Sequence, residues 1–172
     1  DPRDLHSFPT RRSSDLTIDH STSGAKLIYD NFHNTTDQYQ RLTAQFISLA
    51  ICSHHGGLID CLDLNGVDKF TNKMDTDKEI FYDEAVCNFR TECLEIEQIN
   101  NSFNKSKEEI RNILIKISNL ETSPKLIQFS VGMLEKYLFS CVIDADRYDT
   151  YLFVSDGQLK QSIEKLDRKS VV

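Results

Sequence analysis

The sequence predicts an all-α fold. Apolar residues recur three and four positions apart along most of the chain, which is the spacing that places them on one face of a helix. The apolar-polar alternation of a half-buried strand is hard to find. A content of only 6 Gly and 3 Pro in 172 residues also argues against a sandwich of tight hairpins. We therefore expect one helical core, since a chain of this length buries about 70% of its unfolded surface.

The first half of the chain predicts two helices followed by a loop. Apolar residues at helical spacing predict helices over residues 23–32 and 40–53. Residues 56–75 break the period at Gly56, Gly57 and Gly66, which predicts a long loop with room for one helical turn. Loops of this length are often functional. Helical periodicity resumes over residues 76–103, with an interruption.

Two sequence patterns predict helix starts in the second half of the chain. Ser106 and Glu109 have the spacing of a capping box, so we expect a helix to begin there. Ser123 and Pro124 predict another start, with Ser as the N-cap and Pro at the first helical position. This last helix is long and ends in the acidic run at residues 143–150. Its apolar residues are Leu126, Phe129, Met133, Leu134, Tyr137, Leu138, Cys141 and Val142.

Charge and composition exclude several classes of protein. The net charge of −7 excludes a free-standing electrostatic binder of nucleic acid, which needs a surplus of Lys and Arg. The 5 cysteines form no Cys-x-x-Cys pair and follow no secretory signal, so we expect core thiols in a reduced cytoplasm. No uninterrupted apolar run approaches the roughly 18 residues of a membrane span, so we expect no membrane association.

Both ends of the chain differ in character from the rest. Residues 5–16 carry no apolar period and resemble one translated frame of a common sequencing adapter, and residues 167–172 resemble its reverse complement. We therefore divide the chain into a disordered adapter-like segment at 1–16, a genuine domain at 17–166 and a second adapter-like segment at 167–172. Excluding both ends changes the net charge from −7 to −8, because the C-terminal segment carries one acidic and two basic residues.

Histidines and aspartates are the residues with the clearest chemical potential. His20 follows an Asp, His54 and His55 precede two glycines, and Asp146 lies in the acidic run. Neutral imidazole together with carboxylate suits a catalytic divalent metal ion. All lie at or near predicted helix ends, where side chains of different helices can converge.

Each of these residues also has a purely structural interpretation. His20 can be a surface residue at a helix start. The pair His54 and His55 can be a polar helix end that the helix dipole stabilises. The aspartates can form a solvated face together with Arg147.

Three segments, taken in order, carry a resemblance to a known family. They read Asp-His-Ser-Thr-Ser-Gly-Ala at 19–25, Ser-His-His-Gly-Gly-Leu-Ile-Asp at 53–60 and Ser-Cys-Val-Ile-Asp-Ala-Asp-Arg-Tyr-Asp-Thr at 140–150. The combination resembles the HD nuclease domain of the CRISPR-associated helicase-nuclease of type I systems. Residues 60–70 look closest to the type I-C branch.

The resemblance implies an HD-domain helical bundle that hydrolyses phosphodiesters of single-stranded DNA in type I CRISPR interference. By position, His20, His54, His55 and Asp146 match metal ligands of the family, with Asp144 as the nearby alternative to Asp146. The implied cofactors are divalent metal ions, namely Mn, Ni, Co or Mg. The implied partners are single-stranded DNA, a fused or associated helicase and the CRISPR interference complex.

One departure from the family pattern bears on activity. The family has an earlier His and an adjacent His-Asp pair followed by Gly-Lys, and this sequence has no counterpart ahead of Asp19. We therefore expect a bundle that is incomplete at its N-terminus, with weak or absent metal binding and little nuclease activity. Two alternatives stay open: a nucleotide phosphohydrolase of the HD superfamily, and a non-catalytic α-helical interaction module with structural histidines.

Overall fold

The computed structural model describes residues 20–75, 82–92 and 96–169, and the side chains of residues 21–75, 82–91 and 96–155. Within these ranges the chain forms helices only, apart from one isolated bridge between Leu62 and Asp68. The all-α prediction is therefore confirmed. The helices are α1 His20–Phe32, α2 Gln38–Ser53, α3 Lys69–Met74, α4 Tyr82–Glu92, α5 Ile96–Leu120 and α6 Pro124–Lys169. The adapter-like segment 1–16 lies outside the described residues.

Helices α1 and α2 form a closely packed antiparallel hairpin. Small side chains line the contact, and Ala25 and Ala44 are both fully buried. A Cβ atom added at Gly24 would lie 3.4 Å from Cγ2 of Ile51, so the two helices approach each other closely there. The buried Ser48 hydroxyl donates to the carbonyl of Ala25 at 2.9 Å. Because the helices run in opposite directions, the first turn of α1 lies beside the last turn of α2.

Asp37 fixes the start of α2. Its carboxylate accepts from the backbone N–H of Tyr39 at 2.9 Å and of Gln40 at 3.2 Å, as an N-cap residue does. The Nζ of Lys107 on α5 lies 3.2 Å from the same carboxylate. The hydrogen bond from Gln40, with those from Lys107 and Tyr39, lowers the pKa of Asp37. The helix begins two residues before the expected start because the cap, not the first apolar residue, sets it.

Two hydrophobic clusters hold α3 and α5 to the hairpin. In the first, Phe70 and Met74 of α3 pack on the hairpin, and the cluster consists of Ala25, Leu49, Cys52, Phe70 and Met74. In the second, Phe32 of α1 and Phe103 of α5 stack with ring centroids 3.8 Å apart. The predicted helical turn inside the loop at 56–75 is thus confirmed as α3, which anchors that loop to the core.

The predicted helix start at Ser106 is wrong. Residue 106 lies in the middle of α5, and its hydroxyl donates to the carbonyl of Ser102 at 3.0 Å, as a mid-helix serine does. The two buried α5 side chains, Phe103 and Ile110, lie on either side of this position, so packing continues the helix through the capping pattern. In contrast, the start of α6 at Pro124 is confirmed.

Helix α6 is longer than its sequence predicts and has two apolar faces. It continues past the acidic run to Lys169. One face points inward and includes Ile127, Val131, Leu134, Leu138 and Val142. The opposite face is exposed and includes Leu126, Phe129, Met133 and Tyr137. From Asp144 to Val154 every described side chain is exposed, so this part of α6 makes no core.

The length of α6 also changes the membrane expectation. The segment Pro124–Ser155 is long and apolar enough to cross a membrane by length and composition, and 6% of its most apolar window is buried. The segment has no uninterrupted apolar run of 18 residues. Its mean hydropathy over an 18-residue window is nevertheless high enough, with no more than two charged residues in that window. A single helix of this kind is weak evidence for a membrane span.

The stacked pair of Phe32 and Phe103 leads to the first prediction. Phe103 is 3% exposed, whereas Phe129 on the outer face of α6 is 66% exposed. We expect Phe103→Ala to lower the free energy of unfolding by about 3 kcal/mol, because it removes a buried ring and leaves a cavity. The matched Phe129→Ala change should stay within about 0.5 kcal/mol. Urea denaturation of both variants measures the difference, and equal losses would contradict the assigned packing.

Candidate functional site

The two adjacent histidines lie where α2 ends. His54 is the C-cap residue, and its backbone N–H donates to the carbonyl of Ile51. The N–H of Gly56 donates to the carbonyl of Ser53 at 3.1 Å, which tightens the last turn. Gly57 follows with a φ of +87°, in the left-handed region that favours glycine. The expected His-His-Gly-Gly helix end is therefore confirmed.

A hydrogen bond fixes the tautomer of His54. Its Nδ1 lies 2.6 Å from the carbonyl oxygen of Ile51. Because a carbonyl oxygen only accepts, Nδ1 carries the proton, and the lone pair of the neutral ring resides on Nε2. Metal-binding histidines typically show this arrangement, in which one ring nitrogen donates to a carbonyl and the other binds the ion. The ring of His55 lies beside it, with centroids 3.8 Å apart.

The segment after the histidines is fastened to the hairpin. Ser53 is buried, and its hydroxyl accepts from the backbone N–H of Ile59 at 3.2 Å. The Nζ of Lys73 on α3 donates to the carbonyl of Cys52 at 3.4 Å. These contacts hold the turn of His55 and Gly56, both exposed, on a fixed base. His55 is thus exposed at a supported helix end, with the half-buried His54 beside it.

The remaining predicted ligands lie on other elements. His20 is the first residue of α1, and its side chain lies outside the described residues. The antiparallel hairpin places this helix start at the same end as His54 and His55. Asp144 and Asp146 are exposed on α6. Among the described side chains, no group of three or more His, Cys, Asp or Glu could hold a metal ion. The four-residue ligand set therefore stays a prediction.

Two aspartates of the loop at 56–75, Asp63 and Asp68, accept hydrogen bonds from the backbone. The carboxylate of Asp63 accepts from the N–H of Asn65 at 2.8 Å and of Val67 at 3.0 Å, and Gly66 adopts a φ of +76°. Asp68 caps α3 through the N–H of Thr71 at 2.9 Å. Backbone hydrogen bonds, led by Val67 and Thr71 respectively, lower the pKa of both carboxyls. The loop is locally ordered by these caps.

Sequence reasoning missed Glu135. This residue follows Val131 and precedes Phe139 by four positions each, so it lies on the inward face of α6. It is 6% exposed, and neither carboxyl oxygen has a hydrogen-bond partner among the described residues. Burial raises the pKa of Glu135 to about 8. The sequence did contain a signal for this position. Glu135 lies four residues after Val131 and three before Leu138, and residues at these spacings lie on the same face of a helix.

The cysteines are only in part the core thiols that the sequence predicts. Cys52 is buried, whereas Cys61, Cys87 and Cys141 are exposed, and all four are free. Cys93 lies outside the described residues. Desolvation, followed by the nearby carboxylates of Asp68, Glu135 and Asp60, raises the pKa of Cys61. A thiol with a raised pKa stays protonated near neutral pH and is a poor nucleophile.

Comparison of the chain with protein-family models, with curated proteins and with solved structures found no match.

The turn after His55 gives the second prediction. A Cβ atom at Gly56 or Gly57 meets no atom within 4 Å, but only Gly57 has a left-handed φ. We expect Gly57→Ala to lower the free energy of unfolding by about 1 kcal/mol because an L side chain is strained there. Gly56→Ala should have little effect. Urea denaturation compares them, and equal stability of the two variants would refute the turn geometry.

Proposed function

We propose that this chain carries part of a metal-dependent phosphodiesterase site of the HD nuclease type, which acts on single-stranded DNA in type I CRISPR interference in the cytoplasm. One observation supports it above the others: the hydrogen bond from Nδ1 of His54 to Ile51 leaves Nε2 as the lone-pair atom of the ring. His55 lies against that ring, and α1 begins with His20 at the same end of the hairpin.

The donor set agrees with a borderline transition metal ion. His20, His54 and His55 would supply imidazole nitrogens and Asp146 an oxygen, a mixture that suits Ni or Co better than Mn or Mg, which prefer oxygen ligands. When bound, such an ion polarises a phosphate oxygen and lowers the pKa of a bound water. Of these residues, His54 has its ring orientation fixed by a neighbouring carbonyl, which pre-organises it for binding.

The charge of the chain implies that a partner holds the DNA. At a net charge of −7, the chain lacks the surplus of basic residues that tracks a phosphate backbone. A fused or associated helicase would supply that surface, and the CRISPR interference complex would supply the substrate strand. In this division of labour, the described helices contribute imidazole and carboxylate donors, and the partner contributes affinity for the DNA.

A specific observation supports the non-catalytic alternative. The outer face of α6 exposes Phe129, Met133 and Tyr137, each about one helical turn from the next. Contiguous exposed apolar residues on one helix face are typical of a surface that a partner covers. In an α-helical interaction module with this face as its contact, the histidines would have structural roles.

A nucleotide phosphohydrolase would instead share the metal ligands and differ in substrate.

Metal titration of histidine variants separates a ligand role from a structural one. We expect millimolar Mn²⁺ or Ni²⁺ to raise the midpoint of thermal unfolding slightly, because an ion that binds only the folded state stabilises it. His54→Gln and His55→Gln should abolish this shift. His33→Gln is the matched control, since His33 stacks on Tyr29 and pairs with Gln45 at the opposite end of the hairpin. An equal loss in the His33 variant would argue against a site at His54 and His55.

Cleavage assays test the reaction itself. We expect the chain to cleave single-stranded DNA weakly or not at all with Mn²⁺ or Ni²⁺. A version extended by an upstream segment with the His-Asp pair should cleave at least tenfold faster, because it gains metal ligands. Equal activity of the two versions would contradict the incomplete-site explanation. A nucleotide panel assayed in parallel distinguishes a phosphohydrolase, and inactivity of the extended version on both substrates would favour the module.

A further inference from the structure

Glu135 is a buried acid that the proposed site does not use. It lies on the inward face of α6, which packs against α2 and α5. Among the α6 residues whose exposure is described, it is the only charged one that is not exposed. Its two carboxyl oxygens find no hydrogen-bond partner among the described residues. A carboxylate in such a place is far costlier than the neutral acid, because nothing replaces its lost hydration.

Among the described residues, no neighbouring charge is resolved that offsets this burial. Glu135 acts on the thiol of Cys61, in the loop after α2, as do Asp60 and Asp68. These groups are themselves acids. The raised pKa of Glu135 has burial as its cause, with no resolved contribution from a charged group of α2 or α5. The charged residues of those helices are Arg41 on α2, and Glu97, Lys105, Lys107, Glu108, Glu109, Arg111 and Lys116 on α5, and the titratable His54 follows α2 as its C-cap.

We propose that Glu135 is a proton-binding site on the inward face of α6, and that its proton controls how firmly α6 docks. The neutral acid fits among the apolar side chains of the inward face. Loss of the proton places an unpartnered charge there, which favours detachment of α6 so that the carboxylate reaches water. Because α6 also carries Asp144 and Asp146, the same proton sets the position of these carboxylates, a consequence that rests on the proposed function.

The direction of the pH dependence follows from the two protonation states. An ordinary glutamate carboxyl titrates near 4.5, whereas the pKa of Glu135 in the folded chain is about 8. Between these values the folded state holds a proton that the unfolded state has lost. Stability therefore falls as pH rises through this interval. Below pH 4.5 and above pH 8, this residue adds no further pH dependence.

Urea denaturation of the whole chain between pH 5 and pH 9 tests the proposal. The difference between the wild type and Glu135→Gln is the readout, since the amide is neutral and of the same shape. We expect the variant to lose less stability than the wild type as pH rises to 8. Glu109→Gln is the matched control, because Glu109 is exposed on α5, and its profile should parallel the wild type. Parallel profiles for the wild type and Glu135→Gln would overturn the proposal.

Two further measurements locate the effect. Amide hydrogen exchange is measured for the wild type and Glu135→Gln at pH 8.5, so that the intrinsic exchange rate is the same for both. The backbone amides on the inward face of α6 should exchange at least tenfold faster in the wild type. Equal exchange of the α6 amides in the two proteins would overturn the docking role.

The ¹³C shift of the Glu135 carboxyl, followed by NMR in the unaltered chain, needs no variant. A titration midpoint near 8 supports the proton site, and a midpoint near 4.5 refutes it.

Discussion

The close approach of α1 and α2 is the constraint on which the other contacts depend. Ala25 and Ala44 are fully buried, and Gly24 faces Ile51 across the contact, so small residues let the two helices approach each other closely. Both hydrophobic clusters include residues of this hairpin, and α3 and α5 attach to it through them. The same antiparallel packing puts the start of α1 beside the end of α2, where the two adjacent histidines lie. A register change between these helices would therefore disturb the core and the candidate site together.

Helix α6 obeys a different constraint, because its apolar residues outnumber the positions that the core can cover. Its inward face meets α2 and α5, while its outer face exposes large side chains such as Phe129 and Tyr137. An average hydropathy along the helix cannot distinguish these two faces, which is why α6 satisfies a criterion for membrane spans. The acidic run that includes Asp144 and Asp146 interrupts the apolar pattern where the described burial ends. By average composition the segment Pro124–Ser155 of α6 is therefore apolar, but only one of its faces packs against the core.

The sequence predicted features that local chemistry determines and missed those that tertiary packing determines. Ser123 and Pro124 marked the start of α6 correctly, because a cap followed by proline leaves few alternatives. Ser106 and Glu109 carried a similar signal inside α5, where burial of Phe103 and Ile110 keeps the helix continuous. A search for apolar periodicity also passes over Glu135, although the acid shares the inward face of its neighbours. The tautomer of His54 depends on the position of a carbonyl, which the sequence does not specify.

The candidate ligands lie on elements that differ in how tightly they are packed against the core. His54 and His55 end a helix that small residues lock into the hairpin, so their positions are set by the most tightly packed part of the chain. Asp146 lies eleven residues beyond Glu135, which is about 16 Å along the axis of an α-helix. At that distance, a tilt of α6 by about 15° around Glu135 would move Asp146 by about 4 Å. A metal site that joins these residues, as we propose, would thus depend on how α6 is seated, and the protonation of one buried acid would decide that seating.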